Sequence, residues 1–320
     1  MKQSMFSKQG QKGFTLLELL IVVTIIAILS VGAILAYDGL TDKAQSATAA
    51  NNTVTADQSI RNYRAVTGNY PNQWDHLVAE DGGTGAELEF VADETYRVLA
   101  KVATGALSAA ITDALLESFD EVGIEEFQAR TIATAAAGVE PNLQHSEGAT
   151  QDVDNSTIEI EFEETGVLPE HLVVVPTANS GALCTLGGTA PTVIRVDADA
   201  LATAGNEQLA QNFMTTVNDN IGEDECHLVV ALGFGHDAAH STVNSNVAIA
   251  AAPAYVSNNI NPAQNYARYI ALFDMGIDRD EDGSIDAGDI YAKPKLIGML
   301  DPEGRVIDQN VAAANNEQAN

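Results

Sequence analysis

KGFTLLELLIVVTIIAILSVGAILAY, residues 12–37, is an apolar run with one acid, Glu18, near its start. From Phe14 to Tyr37 it holds 24 residues. As a helix rising 1.5 Å per residue, a run of that length spans about 36 Å, enough to cross a hydrocarbon core of roughly 30 Å. A secretory signal carries a shorter apolar region, about 7 to 15 residues, with a small-residue cleavage site behind it. Val31-Gly32-Ala33 offers such a site, but cleavage there leaves the acid unexplained. An ionised side chain in a membrane segment is costly and marks a functional position whose partner has to be named. The leader MKQSMFSKQGQKG carries Lys2, Lys8 and Lys12 and no acid, so the positive-inside rule keeps it cytoplasmic. Cleavage after Gly13 gives Phe14 a new α-amine, four residues from Glu18. Such an amine and carboxylate can neutralise one another, along one helix or between neighbouring chains.

Lys12-Gly13-Phe14-Thr15-Leu16-Leu17-Glu18, followed by LLIVVTIIAIL, resembles the prepilin leader and N-terminal segment of type IV pilins and type II secretion pseudopilins. The resemblance implies that a membrane prepilin peptidase cuts after Gly13 and N-methylates Phe14. It also implies that Glu18 pairs with the terminal amine of an adjacent subunit during assembly. The precursor is then expected in the inner membrane, in contact with lipid and an assembly platform, with its head outside the cytoplasm. Other copies of itself or related pilins join it in a periplasmic or extracellular filament. Residues 38–67 are polar but keep helical character, with Ala49, Ala56, Ile60 and Tyr63 spaced 7, 4 and 3 apart and Asp57 placed to support Arg61. Gly68 and Pro71 end the helix. GNYPNQWDHLV, residues 68–78, resembles the Gly-x-Tyr-Pro turn that follows this helix in major pseudopilins. One departure is Leu35, which stands where many relatives carry a proline; Gly32 is then the only weak point in the apolar half.

The predicted fold is α+β and pilin-like: a long N-terminal helix, membrane-spanning in its first half, carrying a head with a mainly antiparallel sheet and a helical insertion. The boundaries are a leader 1–13, a membrane or filament-core helix 14–37, its continuation 38–67, a mainly helical part 68–155, a β-rich part 156–308 and a mobile tail 309–320. Residues 84–140 read as Ala-rich helix with Leu107, Ile111 and Leu115 on one face. From 156 the pattern turns to strands: STIEIEFE, HLVVVPT, PTVIRVDA, CHLVVALGF, NVAIAAAPAYV and a late hairpin, KLIGMLDPEGRVID, turning at Asp301-Pro302-Glu303-Gly304. A helix is expected over residues 199–217.

DRDEDGSIDAGD, residues 278–289, is the sharpest chemical signal in the head. Asp278, Asp280 and Asp282 stand at positions 1, 3 and 5 of a twelve-residue calcium loop, Gly283 permits the turn at 6, and the Ser284 carbonyl serves at 7. Asp286 falls at 9, Ile285 can pack inward at 8, and position 12 is Asp289 where an EF-hand has glutamate. The stretch resembles a dockerin-type loop, which ends in aspartate but occurs twice in dockerins and once here. The opposing reading is a solvated acidic turn. Major pseudopilins resemble this arrangement in using Ca2+ to hold the C-terminal part of the head. Cys184 and Cys226 form a disulfide in an oxidising compartment or remain two buried thiols.

Composition narrows the function classes. The net charge is −30, and −33 without the three leader lysines, so no basic stripe exists to neutralise phosphates and no direct nucleic-acid binding is expected. His236-Asp237-Ala238-Ala239-His240 has the histidine spacing of a zinc helix, but aspartate replaces the usual glutamate and GFGHDAAHST reads as a loop. No serine elbow, phosphate loop or Cys/His nucleophile motif occurs. The expected role is a filament subunit rather than an enzyme. The alternatives are a minor or tip subunit acting as adhesin or cargo-binding pseudopilin, and, from another class, a membrane-tethered extracellular enzyme.

Overall fold

The computed structural model describes residues 15–79, 91–92, 95, 98–130, 158–162, 166–179, 182–188, 193–194, 225–249, 252–255, 257, 259–262 and 265–315. The chain divides into two compact units, Met1–Ala44 and Gln45–Asn320. The apolar run is helical, as its length and composition require, and forms the start of α1 (Leu16–Thr67), a 52-residue helix. Residues Leu16–Ile34 meet the length and composition for a membrane span, and none of that stretch is buried within the protein. The predicted leader, including Gly13 and Phe14, lies outside the described residues.

Residues 45–67 of α1 belong to the second unit. Ala49, Thr53, Ala56 and Ile60 recur at helical spacing and are buried; Tyr63, expected on the same face, is half-buried. Arg61 and Asp57 form the i,i+4 ion pair at 2.8 Å. The helix stops at Gly68, whose φ of 87° is open to glycine at little cost and whose N–H donates to the Arg64 carbonyl at 2.8 Å. The chain after it is then pinned: the Tyr70 N–H donates to the Val122 carbonyl and the Trp74 indole donates to the Pro71 carbonyl. Tyr70 and Trp74 both meet Phe273 edge-on, at 5.0 and 5.2 Å between ring centroids.

The strands are β1 (Trp74–Ala79), β2 (Ala100–Ala103), β3 (Glu126–Arg130), β4 (Ile158–Glu161), β5 (His171–Val175), β6 (Ala178–Asn179), β7 (Ala182–Leu183), β8 (Thr185–Leu186), β9 (Val193–Ile194), β10 (His227–Gly233), β11 (Ile270–Ile277), β12 (Ser284–Ile285) and β13 (Ile290–Leu300). Among the described residues, the α-helices after α1 are α2 (Ala109–Asp120), α3 (His236–His240) and α4 (Ile307–Asn315). The main sheet runs β4-β3-β1-β10-β5-β2-β9, and β11 joins β10 to β13. Every pairing in it is antiparallel except β1 with β3. The pattern is therefore the α+β arrangement with a mostly antiparallel sheet. Both faces of β10 are covered: Leu228, Val230 and Leu232 share a core with Ala49, Ala56, Ile60, Ile111, Leu115 and Phe119. Val229 and Ala231 lie in a second core with Leu77, Leu99, Val173, Ile270 and Leu300.

Several elements differ from the sequence reading. Residues 84–140 contain strands β2 and β3 on either side of α2, and residues 74–79 are also strand, so the described part of 68–155 is mixed rather than mainly helical. Pairing with β5 and β4 overrides alanine's helix propensity there. Ile111 and Leu115 are buried on α2 as expected, while Leu107 precedes the helix, which is capped by the Ser108 hydroxyl. Residues 246–249 and 252–255 form no strand beyond one bridge, Ala254 to Arg268. The turn at Asp301–Gly304 exists, but the expected second hairpin arm is α4: the Gln309 side chain reaches back to the Val306 N–H at 3.2 Å and starts a helix. The stretch from Gln309, expected as a mobile tail, thus continues α4 to Asn315 and buries Asn310. The expected helix over 199–217 lies outside the described residues, as do most of PTVIRVDA and the ends of STIEIEFE.

These contacts make residues 49–60 of α1 part of the head's core. Ile60→Ala in the full chain should cost roughly 2 to 5 kcal/mol in denaturant unfolding. Val66→Ala, on the exposed side of the same helix, should stay within about 0.5 kcal/mol.

Candidate functional site

Strands β11 and β13 pair antiparallel, with Gly276 opposite Ile290, so residues 278–289 form the connection of a hairpin. The Ile277 N–H donates to the Asp289 carbonyl at 3.3 Å, which holds the two ends of the loop side by side. Gly276 is required at this neck because a Cβ there would stand 2.6 Å from the Asp289 carbonyl oxygen. Asp278, almost buried, accepts the Gly283 N–H at 2.8 Å and the Asp282 N–H at 3.3 Å, folding the first half of the loop around its carboxylate. Gly283 takes φ 85°, the left-handed conformation that the turn needs.

The carboxylates of Asp278, Asp280 and Asp282 offer oxygens that all lie within 4.8 Å of one another. Loss of water pushes the Asp278 carboxyl up, but its hydrogen bonds from the Gly283 N–H, the Asp280 side chain and the Asp282 and Glu281 N–H groups outweigh this and hold it below the ordinary range. Asp280 is pushed up, first by its hydrogen bond with Asp278 and then by the charge of Asp282. Three carboxylates this close repel one another, and their donor set suits a hard cation such as Ca2+. Asp289 is nearly buried and gives its oxygens to the Arg279 and Asp286 N–H groups at 3.3 and 3.0 Å. Asp286 is exposed. Ser284 lies in β12, where its hydroxyl accepts the Gly188 N–H at 3.1 Å, and Ile285 packs into the core.

Cys184 and Cys226 are joined, with their Cα atoms 5.5 Å apart, and each half of the bridge abuts the acidic loop. The Cys226 carbonyl accepts the Asp278 N–H at 3.0 Å. The residue after Cys184, Thr185, donates its N–H to the Gly283 carbonyl at 3.0 Å, and β8 runs parallel to β12. The bridge thus fastens two segments that grip the loop at its first and sixth positions. A covalent tie across 42 residues contributes about 4 kcal/mol by the chain-entropy estimate. The motif spacing was readable in the sequence; this clamp was not, because it depends on strand pairing.

His236-Asp237-Ala238-Ala239-His240 is a short helix rather than a loop, anchored by buried Ala238 and Ala239. Its imidazoles stack at 6.0 Å between centroids, and His236 Nδ1 meets the neighbouring Asp237 at 3.2 Å. Neither histidine belongs to a ligand cluster among the described residues. A cluster that sequence reasoning missed is Glu126, Glu159 and Glu161 on β3 and β4. Glu159 and Glu161 alternate visibly in STIEIEFE, but Glu126 sat in a stretch that read as helix.

At the start of α1, Glu18 answers locally to Thr15. The Thr15 N–H and hydroxyl both donate to a Glu18 carboxylate oxygen at 2.9 Å, and the Glu18 N–H donates back to the Thr15 hydroxyl at 3.3 Å. This is a capping box, Thr-x-x-Glu, which satisfies otherwise orphaned N–H groups at the first turn.

No curated protein and no solved structure matches the chain. A family model described as the prokaryotic N-terminal methylation motif matches residues 8–34, a stretch that includes the exposed apolar span Leu16–Ile34, and this match supports a type IV pilin-like precursor.

Proposed function

We propose that the chain is a structural subunit of a type IV pilus-like or type II secretion pseudopilus filament, cut by prepilin peptidase after Gly13 and assembled through α1. The observation that carries the reading is the methylation motif at residues 8–34 joined to an apolar helix with a single acid in its first turn. The precursor is anchored in the inner membrane by Leu16–Ile34 and later withdrawn from lipid into a fibre, where the same apolar surface packs against other copies. In that setting Glu18 pairs with the Phe14 amine of a neighbour. The capping box supplies a competing, purely local reason for an acid at this position, and the two separate by experiment. Glutamine at the third helical position still reaches back to the cap, but it carries no charge. Glu18→Gln should therefore accumulate in the membrane and give no fibres on shearing, as Glu18→Ala should. Fibres at the normal yield from Glu18→Gln would reduce Glu18 to a helix cap.

Ca2+ in the acidic loop is part of the same proposal. Asp278, Asp280 and Asp282 would hold the ion, with the Ser284 carbonyl, Asp286 and Asp289 completing the set after small movements. Bound, the ion supplies no catalysis; it offsets carboxylate repulsion and fixes the β11–β13 connection. An ion that binds only the native state stabilises by about 2.7 kcal/mol at a hundredfold excess over Kd. The full chain in detergent should melt higher in millimolar calcium than in chelator at matched ionic strength, and Asp278→Ala with Asp282→Ala should remove the difference. Coincident melting curves for the unaltered chain would make the loop an acidic turn only. Because the bridge grips the loop, Cys184→Ser with Cys226→Ser should weaken calcium binding severalfold in titration calorimetry. Unchanged affinity in that variant would show that the loop sets its own geometry.

A further inference from the structure

Helix α3 carries two histidines that neither the core nor filament assembly uses. In His236-Asp237-Ala238-Ala239-His240 they stand four apart, the spacing that puts two imidazoles on one face of a helix. In a loop that spacing has no geometric meaning, but the stretch is a helical turn. The Ser241 N–H donates to the Asp237 carbonyl at 2.8 Å and the Ala239 N–H to the Gly235 carbonyl at 3.3 Å. A helix this short is not stable alone, so packing holds it. Ala238 and Ala239 are buried in the larger core. The hydroxyl of buried Thr242 donates to the Ala239 carbonyl at 2.7 Å and accepts the Ile249 N–H at 2.8 Å. The Asn72 N–H donates to the Ser241 hydroxyl at 3.1 Å and ties the turn to the segment entering β1. The two histidines therefore stand on a fixed platform.

Their own geometry is that of a chelating pair. His240 is exposed and His236 partly so, which means that neither ring is there to fill the core. The rings lie nearly parallel, 13° apart in plane, with centroids separated by 6.0 Å. A zinc–nitrogen bond of about 2.0 to 2.1 Å places the ion roughly 3 Å from each ring centre, so two rings at a tetrahedral angle have centres about 5 Å apart. A small side-chain rotation of exposed His240 closes that difference. His236 is also oriented: its Nδ1 lies 3.2 Å from Oδ1 of Asp237, which is buried. A carboxylate at that place takes the Nδ1 proton, fixes the tautomer and leaves the Nε2 lone pair for an ion, the arrangement found behind metal-bound histidines. Asp237 stands where a metalloprotease helix has its glutamate base. Because it is turned to the neighbouring imidazole, the pair binds an ion without supplying a base.

We propose that His236 and His240 chelate a divalent transition ion of the zinc class, at a site separate from the 278–289 loop. Imidazole nitrogen selects such ions over calcium, which takes oxygen donors. Among the described residues no third His, Cys, Asp or Glu joins the pair in a cluster, so water fills the other coordination positions.

The test is calorimetric titration of zinc chloride into the full chain in detergent, with millimolar calcium present to occupy oxygen-donor sites. Zinc should bind in an event that His236→Gln and His240→Gln each weaken by at least tenfold. His240 is exposed, so His240→Gln should melt like the unaltered chain in chelator, which separates a lost ligand from a lost fold. Identical zinc binding by the unaltered chain and by His236→Gln with His240→Gln would overturn the proposal. Absence of any zinc binding up to millimolar concentration would overturn it as well.

Discussion

Strand β10 pairs with β11 over its whole length, from His227 with Ile277 to Gly233 with Ile270, and most of the head is attached to one or other of these strands. Along its other edge β10 meets β5 at Val229 and Val230 and β1 at Gly233, so the sheet forks there into two arms. Beyond β11 lies β13, whose Pro294 falls within the register shift between the Asp274–Lys295 and Gly276–Ile290 pairings. Every residue of β10 is buried, and the alternation of its side chains supplies both cores at once. Close approach at its C-terminal end depends on small residues: a Cβ on Gly233 would strike the Tyr266 hydroxyl, and one on Gly235 the Asp75 carboxylate. Tyr266 and Asp75 use that space for a buried hydrogen bond of 2.7 Å.

The acidic loop inherits its geometry from this pairing. Its neck is the last rung between β11 and β13, and its first residue is held by the carbonyl of Cys226, immediately before β10. The disulfide brings Cys184 and β8 to the same place. The acidic turn is thereby held with three carboxylates converging. The N-terminal unit follows a different constraint. Its residues Leu16–Ile34 are apolar and uncovered by the rest of the protein, a condition that water penalises and that lipid or like helices relieve.

The parts legible in the sequence were those whose geometry is set by nearby residues. The 3.6-residue recurrence of Ala49, Ala56 and Ile60, the glycine stop at Gly68, and the 1-3-5-6 spacing of Asp278, Asp280, Asp282 and Gly283 all concern contacts within a few residues. The β-branched runs of β5 and β10 read as strands because both faces are buried. Contacts made across long sequence distances were hidden. AKVA at residues 100–103 is strand only because Val102 pairs with Leu172, and EFQAR is strand only between β1 and β4. The glutamate cluster needed that second pairing to exist at all. Asp289, at the twelfth position of the loop, also braces the loop's own backbone through the Arg279 and Asp286 N–H groups, a second role that spacing alone does not reveal.

Processing after Gly13 is the step on which the filament account turns, since it creates the amine that gives Glu18 a partner. Mass spectrometry of the N-terminal peptide from chain purified out of membranes or sheared fibres tests it directly. The account requires a chain beginning at an N-methylated Phe14 with the apolar run retained. A chain beginning at Met1, or one cut near Ile34 with the apolar run lost, would contradict it.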